Sequence, residues 1–536
     1  MNAAPPPIPS LIPETAPFSP EQRAWLNGFF AGLVSLDGAG VTALSPEQNA
    51  ALMPGGAGDG DDGEAPWHDQ TLPMPERMAL AEGRPLRRRM MAAMAQQDCG
   101  QCGYNCNDYA DRIFDRSEER LNLCVPGGKE TARMLKSLYD EMDKAPVAAN
   151  IPAEVKSATA PQPAADAGRS RDNPATATFV KRYRLNKPGS EKETWHLDFD
   201  LSAAKLDYVV GDAFGLFPKN DPALADAIVK ALGVSSGYAI GDEALRDILI
   251  EKVALSPAPD SLFQLFSYIT GGERRQKAKA LASGEDPDGD AATLDVLATL
   301  EKFAGVTPDP EAFIEALEPL QPRLYSISSS PKVEPGLLSL TVDTVRYPVG
   351  GRTRLGVAST YLADRIAPGD PIQVYVQKAH AFALPADPSM PVIMVGPGTG
   401  IAPFRAFLHE RMATSAPGRN WLFFGHQRRD CDFFYEDELN GMKASGVLTR
   451  LSLAWSRDGD QKFYVQDRMR EVGRDLWSWL ADGAHLYVCG DAKRMAKDVE
   501  RALVDIVAQY GARSTDEAIA YVADLKKRGR YQQDVY

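Results

Sequence analysis

Histidine and cysteine are both scarce in this chain, six of each among 536 residues, and the histidines show no metal-ligand spacing. Six cysteines in so long a chain exclude a disulfide framework. Long apolar runs are missing too: no stretch of about 18 uncharged apolar residues occurs, so no membrane span is expected. The opening Met1-Asn-Ala-Ala-Pro-Pro-Pro has neither the basic nor the apolar region of a secretory signal, which leaves the cytoplasm as the default location. Positive charge is in deficit. A net charge of −14 argues against nucleic acid, whose phosphates need a basic surface, and fits a basic partner or simple solubility. What is present is ordinary for a globular protein, 44% hydrophobic and 25% charged residues, in a chain too long for one core. About two to four domains are expected.

The chain divides by pattern. Residues 1–70 hold a proline-rich lead-in and a helix signature at Ser19-Pro-Glu-Gln22. Trp25, Leu26, Phe29, Phe30 and Leu33 fall on one face of that helix, as the core of a small domain or as a docking surface for a partner. Residues 54–66, rich in Gly and Asp, read as a loop. Residues 71–144 are mainly helical in pattern and enclose four of the six cysteines. Residues 145–177, dominated by Ala, Pro and small polar residues, cannot bury a core and read as a linker. Residues 178–386 carry strand patterns interrupted by a helical stretch at about 222–317, which predicts an antiparallel β-barrel with a helical insertion. From 387 to 536 short apolar strands alternate with helices, which predicts a doubly wound parallel sheet. The fold class expected is therefore multidomain, α+β and α/β, with a small helical module in front.

Two stretches carry chemistry in the last region. Val392-Ile-Met-Val-Gly-Pro-Gly-Thr-Gly-Ile-Ala-Pro-Phe-Arg405 runs from a buried strand through a glycine loop into a helix. Gly396, Gly398 and Gly400 permit tight turning and close backbone approach to a pyrophosphate, and helix amides favour an anion. Ile401 stands where a G-x-G-x-x-G fingerprint would have its third glycine. Downstream, Ser456, Arg457, Lys462 and Tyr464 follow a strand end, an arrangement of donors suited to a 2′-phosphate and hence to NADPH over NADH.

At the front, Cys99, Cys102, Cys106 and Cys124 are spaced C-x2-C-x3-C-x17-C, whereas Cys431 and Cys489 are isolated. Three thiols within one short turn, with Gly100 and Gly103 freeing backbone amides, favour an iron–sulfur cluster. Structural zinc more often takes two separated C-x2-C knuckles, and it remains open here beside unligated cysteines.

From about residue 178 onward the chain resembles the family of NADPH-dependent sulfite reductase flavoprotein subunits, within the cytochrome P-450 reductase-like group of the ferredoxin–NADP reductase superfamily. The motifs that carry this are Arg323-Leu-Tyr-Ser-Ile-Ser-Ser, Gly356-Val-Ala-Ser, Gly396-Pro-Gly-Thr-Gly-Ile-Ala-Pro-Phe-Arg405, Trp421-Leu-Phe-Phe-Gly, Ala454-Trp-Ser-Arg-Asp, Tyr464-Val-Gln-Asp, Tyr487-Val-Cys-Gly-Asp-Ala-Lys-Arg-Met-Ala-Lys-Asp498 and Arg530-Tyr-Gln-Gln-Asp-Val-Tyr536. The resemblance implies FAD held by Arg323, Leu324, Tyr325, Ser326, Thr341, Val342, Asp343 and Tyr347, with its pyrophosphate at Gly356, Val357, Ala358 and Ser359. It implies NADPH at Gly398, Thr399, Ser456, Arg457, Lys462, Phe463, Tyr464, Val465, Gln466 and Asp498. Tyr536 would stack on the flavin ring, and Ser326, Cys489 and Asp534 would surround the hydride in transit.

One departure stands out. That family carries a flavodoxin-like FMN domain ahead of the FAD module, but the first 175 or so residues show no glycine-and-hydroxyl phosphate loop, so FMN is not expected. The cysteine region is similar instead to the four-cysteine [4Fe–4S] module of RnfB-type electron-transport subunits and corrinoid iron–sulfur proteins, through Asp98-Cys-Gly-Gln-Cys-Gly-Tyr-Asn-Cys106 and Cys124-Val-Pro-Gly-Gly128. The function expected is NADPH to FAD to cluster to a partner, foremost a sirohaem sulfite reductase subunit. A nitrate or nitrite reductase, a ferredoxin or a P-450 is the alternative acceptor, and a zinc-stabilised docking module is the alternative front end.

Overall fold

The computed structural model describes residues 65–69, 72–97, 102, 104–144, 167–235, 237–379, 382–492 and 494–536. The helix expected from Ser19, the start of the loop at 54–66, Cys99 and residues 145–166 of the expected linker lie outside these.

Among the described residues, four helices form the cysteine-bearing region: α1 (Met74–Leu80), α2 (Leu86–Ala93), α3 (Cys106–Phe114) and α4 (Gly128–Lys144). Helix α3 starts where Asn105 caps it, its side chain accepting the Asp108 amide at 2.7 Å. Trp67, Met90, Met91, Tyr109, Ile113, Leu123 and Leu135 are buried together with Cys102, Cys106 and Cys124. The thiols thus belong to the core of this small helical unit.

Strands β1 (Ala175–Arg184), β2 (Thr194–Asp200), β3 (Ala213–Leu216), β4 (Arg323–Ser326), β5 (Leu337–Asp343) and β6 (Pro371–Gln377) make one antiparallel sheet in the order β4-β3-β6-β1-β2-β5. Its two outer strands meet at a single bridge, Ile327 to Leu340. The inward residues, among them Phe179, Leu197, Phe199, Phe214, Leu340 and Val374, alternate along the strands and form one core. Between β3 and β4 lie the helices α5 (Pro222–Ala231), α6 (Leu245–Glu251), α7 (Asp260–Ile269), α8 (Gly272–Ser283), α9 (Val296–Lys302) and α10 (Pro310–Glu315), with a core of their own. The strand pattern expected over 337–347 is broken in the structure. It ends at Asp343, and Arg346–Val349 folds back on Arg352–Leu355 through Gly350 and Gly351, whose φ angles of 56° and 81° suit a tight hairpin turn.

The rest is a parallel sheet of β7 (Val392–Val395), β8 (Asn420–His426), β9 (Arg450–Trp455), β10 (His485–Gly490) and β11 (Tyr531–Val535), ordered β9-β8-β7-β10-β11. Helices α11 (Ala402–Ala413), α12 (Glu436–Ala444), α13 (Val465–Glu471), α14 (Gly473–Ala481), α15 (Met495–Tyr510) and α16 (Thr515–Lys527) connect and cover it. Ile393 and Val395 pack into one core with α13–α16, whereas Val392 and Met394 pack into another with α11 and α12. Both faces are therefore covered, as the run of fully buried residues along β7 requires. The chain reverses its winding between β7 and β10, so a crevice opens beyond the carboxyl ends of these two strands.

The two sheets are tied together. Arg405 of α11 donates to the Ser328 carbonyl at 2.8 Å, and the Tyr435 hydroxyl bonds Thr341 at 2.7 Å and His196 at 3.0 Å. Residues 65–82 and 86–536 form one compact unit. Among the described residues, no helix is long and apolar enough to cross a membrane.

Candidate active site

Three cavities run along the crevice. The first, about 380 Å³, is lined by Arg323, Leu324, Tyr325 and Ser326 of β4, Thr341, Val342 and Asp343 of β5, and Thr399, Asp534 and Tyr536. The second, about 500 Å³, is lined by Gly398, Ser456, Phe463, Tyr464, Val465, Gln466 and Asp498, together with Lys192, His426, Gln427 and Arg494. A third of about 340 Å³ shares Asp343, Thr399 and Tyr536 with the first and Lys192, Gly398 and His426 with the second. Tyr536 thus stands at the join between the two larger cavities.

Beside that join the residues expected around the hydride come together: Ser326 and Asp534 line the first cavity with Tyr536, while Cys489 is fully buried behind them and lines none of the three. Ser326, the last residue of β4, donates its hydroxyl to Asp534 Oδ2 at 2.5 Å. Cys489 Sγ lies 3.7 Å from the same oxygen, because Cys489 and Asp534 are register partners on the parallel strands β10 and β11. Burial raises the Asp534 carboxyl above the usual carboxylate range, and burial beside that carboxyl pushes the Cys489 thiol well up. The Tyr536 hydroxyl bonds Thr399 Oγ1 at 2.8 Å, and the Tyr536 amide donates to the Gly490 carbonyl at 3.0 Å. The last residue is thereby pinned against the glycine loop.

That loop is tight for a reason. A Cβ on Gly400 would lie 2.1 Å from the Cys489 carbonyl oxygen, and one on Gly396 would lie 2.3 Å from the Gly400 carbonyl oxygen. Gly398 has φ +58°, the left-handed region that glycine adopts at no steric cost. The loop can therefore press against β10 and still present amides to the crevice.

Cationic groups line the first cavity and a further one. Burial lowers the Arg323 guanidinium below its ordinary value, and Arg323 Nη1 donates to the carbonyls of Gln321 at 2.8 Å and Pro322 at 3.2 Å. Arg365 is lowered by burial as well, and its Nη1 has no partner among the described residues. Arg365, Tyr347, Val357 and Thr360 line a separate cavity of about 230 Å³ with Arg352 and Arg354. Gly356 caps the helical turn Val357–Thr360, and Ser359 Oγ accepts the Val345 amide at 3.1 Å. Arg352 and Arg354 are paired there with Asp295, which leaves the half-buried Arg323 and Arg365, the latter with a glycine-capped turn close in sequence, as the cations suited to an anion such as a pyrophosphate.

Two expected nucleotide residues are not brought in. Arg457 pairs with Glu191, and neither Arg457 nor Lys462 lines the larger cavity. Lys192 and Arg494 supply cations there instead. Sequence reading missed both. Lys192 belongs to the β1–β2 connection, far away in the chain, and Arg494 stands inside the Tyr487–Asp498 motif without a role assigned to it.

In the cysteine unit, Cys102, Cys106 and Cys124 are each 8% exposed and occupy one core. Burial pushes the Cys102 thiol up to about 11 and raises that of Cys124. The backbone at Ala95 and Gly127 favours the Cys124 thiolate against that burial, and a Cβ on Gly127 would lie 3.0 Å from its sulfur. The buried Arg77, which donates to the Ala92 carbonyl at 3.0 Å, lies where its charge favours the thiolates of Cys124 and Cys106. Among the described residues, no three His, Cys, Asp or Glu side chains are placed to hold a metal ion. Cys99, the fourth of the set, lies outside them. Buried thiols, a backbone that favours the thiolate and a nearby guanidinium are the donor chemistry of a thiolate-ligated cluster.

Two cavities that meet at Tyr536, one walled by the Arg323–Ser326 strand and the other reaching the glycine loop, are the arrangement expected of a class, the pyridine-nucleotide-dependent flavoprotein oxidoreductases. Comparison with known proteins agrees. Residues 394–501 match the oxidoreductase NAD-binding domain family, and residues 167–298 and 243–361 match the FAD binding domain family. The sulfite reductase (NADPH) flavoprotein alpha-component of Shigella dysenteriae serotype 1 is 39% identical over 435 residues, covering 80% of this chain and 70% of its own length. That of Escherichia coli K12 is 38% identical over 430 residues, with the same 80% and 70% coverage. That of Photorhabdus laumondii is 42% identical over 371 residues, covering 68% of this chain and 61% of its own. The chain belongs to the sulfite reductase (NADPH) flavoprotein alpha-component family, and it is an NADPH-dependent oxidoreductase that uses FAD.

Proposed function

We propose that this chain oxidises NADPH in the cytoplasm and delivers the electrons, through FAD and a [4Fe–4S] cluster held by Cys99, Cys102, Cys106 and Cys124, to a sirohaem sulfite reductase subunit. The observation that carries the reading is the meeting of Ser326, Cys489 and Asp534 beside the first cavity, with Tyr536 standing where the two larger cavities join. When bound, FAD accepts a hydride and gives up its two electrons singly, and the cluster carries single electrons.

The chain's own groups set the geometry for this. Arg323, Tyr325, Tyr347 and the Gly356–Ser359 turn would hold the flavin, and Ser456, Tyr464, Lys192 and Arg494 would hold the nucleotide. Asp534 fixes the Ser326 hydroxyl and the Cys489 thiol on one side of the gap, where a nicotinamide ring can be oriented and its developing positive charge offset. Tyr536 covers the gap and excludes water until the nicotinamide displaces it.

Protein purified without oxygen should contain FAD, with iron and acid-labile sulfide at about four each per chain. Mixed with the hemoprotein subunit, it should make sulfide from sulfite at the expense of NADPH. Stoichiometric zinc would overturn the cluster. Active electron delivery to a ferredoxin or a nitrite reductase without any sulfide formation would overturn the acceptor.

A further inference from the structure

His426 ends β8 and lines both the second and the third cavity beside Gly398. One edge of its ring meets the glycine loop: a Cβ on Gly398 would lie 3.7 Å from His426 Cδ2 and 4.0 Å from Nε2. Phe434 packs against the ring with centroids 4.9 Å apart, which leaves little of the side chain exposed. Nε2 has no partner among the described residues.

The other ring nitrogen is turned to a buried acid. His426 Nδ1 lies 3.2 Å from Asp432 Oδ2, out of line for a hydrogen bond but well within reach of its charge. Asp432 is fully buried. Asn186 Nδ2 at 2.8 Å and Ser190 Oγ at 2.5 Å donate to its Oδ1, and the Arg428 amide donates to Oδ2 at 3.1 Å. Burial opposes the charge, but these hydrogen bonds outweigh it and keep the carboxyl below its usual range. A carboxylate beside Nδ1 repels a lone pair there, so the neutral ring carries its proton on Nδ1 and turns the Nε2 lone pair to the cavity. A lone pair is the wrong group to offer a pyrophosphate, whose oxygens accept hydrogen bonds. An imidazolium is the right one, because both of its nitrogens donate.

We propose that His426 contacts the nucleotide and takes up a proton when NADP(H) binds, donating from Nε2 to the pyrophosphate while Asp432 holds the ring and balances its charge. This coupling rests on the second cavity being the nucleotide site. Around the ring stand Lys192 of the β1–β2 connection, 3.4 Å from Asp343 of β5, and Asp491, Arg494 and Asp498 from the turn after β10 and from α15. Burial holds the empty site's imidazolium below its ordinary value, with Lys192 adding to that and Asp432 and Asp343 opposing it. A pyrophosphate at the glycine loop brings negative charge to the open side of the ring and removes this bias. A ring that is neutral near pH 7 in the empty site therefore becomes charged as NADP+ arrives.

The test uses the full chain with FAD bound, as wild type, His426→Gln and Asp432→Asn, and NADP+ as the ligand. Titration calorimetry at about pH 7 in buffers of unlike ionisation heat, none of them phosphate, gives the protons taken up per NADP+ bound. The 2′-phosphate, with a pKa of about 6, is mostly dianionic there and contributes little. Wild type should take up about 0.5 proton, and its Kd should rise about fivefold between roughly pH 6.5 and 8. In His426→Gln the uptake should fall below about 0.1 proton and the Kd should stay within about twofold over the same range. Asp432→Asn should keep its FAD and take up less than about half the wild-type amount. Uptake below about 0.2 proton in wild type overturns the inference whatever the variants do. Wild-type uptake in His426→Gln also overturns it, because another group would then be titrating. Full uptake in Asp432→Asn overturns the part given to Asp432. Failure of the wild type to bind NADP+ overturns the reading of the cavity, and the proton coupling with it.

Discussion

Asp534 is the residue on which the gap turns. Its carboxyl sits half-buried between a hydroxyl and a thiol, with no cation paired to it among the described residues, and desolvation raises its pKa. The folded protein therefore binds the proton more tightly than the unfolded chain does. This group's effect on stability worsens as pH rises from the unfolded value of about 3.9 through the raised folded one. Asp534→Asn should accordingly raise the melting temperature of the apoprotein at pH 7, and the gain should vanish at pH 4. The same change should slow flavin bleaching by NADPH by about 100-fold with little effect on NADPH affinity, because the amide cannot offset positive charge on the nicotinamide. Stopped-flow absorbance with an NADPH concentration series reads both. A variant less stable at pH 7 would contradict the account of burial.

At the scale of elements, the glycine loop after β7 is where backbone geometry decides function. Gly400 sits against the Cys489 carbonyl so closely that a methyl group would lie 2.1 Å from it. Gly400→Ala should therefore push the loop off β10, cost about 1–3 kcal/mol in stability and weaken nucleotide binding. Denaturant melts and NADP titration would show it. Gly441 on α12 has open space around its Cβ position, so Gly441→Ala should stabilise by about 0.5–1 kcal/mol and serves as the control.

The loop itself is legible from Val392–Arg405, since a buried strand, three glycines and a proline-led helix announce it. The strand Tyr531–Val535 is harder to see. Its Gln532, Gln533 and Asp534 give no apolar pattern, and only pairing with β10 makes it the fifth strand of the sheet. Strand β3 is short, and it acquires its place by pairing with β4 and β6 across the whole helical insertion.

Across the whole molecule, the two sheets are held in register by partly buried charge. Glu438 of α12 accepts Arg405 at 2.8 Å and His409 at 2.9 Å, and Arg405 reaches over to the Ser328 carbonyl. Burial opposes the Glu438 charge, but hydrogen bonds from His409 and the nearby Arg405 guanidinium outweigh it and hold the carboxyl at about 2. A depressed acid contributes stability that is complete above the unfolded value of about 4.3 and is lost as pH falls toward 2. Asp198, bonded to His196 and Ser339 and also held at about 2, acts in the same window. Glu438→Gln should cost about 2–3 kcal/mol at pH 7 by leaving Arg405 less than fully paired, and the deficit should shrink between pH 4 and 2. Urea melts across that range would check it. The flavin and nucleotide cavities should also drift apart, seen as slower flavin bleaching with both cofactors still bound.

The sequence by itself determined the local parts: the glycine loop, the Arg323–Ser326 strand, the alternation of apolar strands and helices, and the spacing of the four thiols. These follow from side-chain period and turn chemistry, which act over a few residues. Only the tertiary structure decided what meets what. Ser326 and Asp534 are 208 positions apart, Cys489 and Asp534 are 45 apart, and Arg171 finds Gln321 across 150. Such meetings depend on strand order and register, which are set when whole faces are buried against one another. Lys192 entered the nucleotide cavity, and Arg457 turned away from it to Glu191, for that same reason.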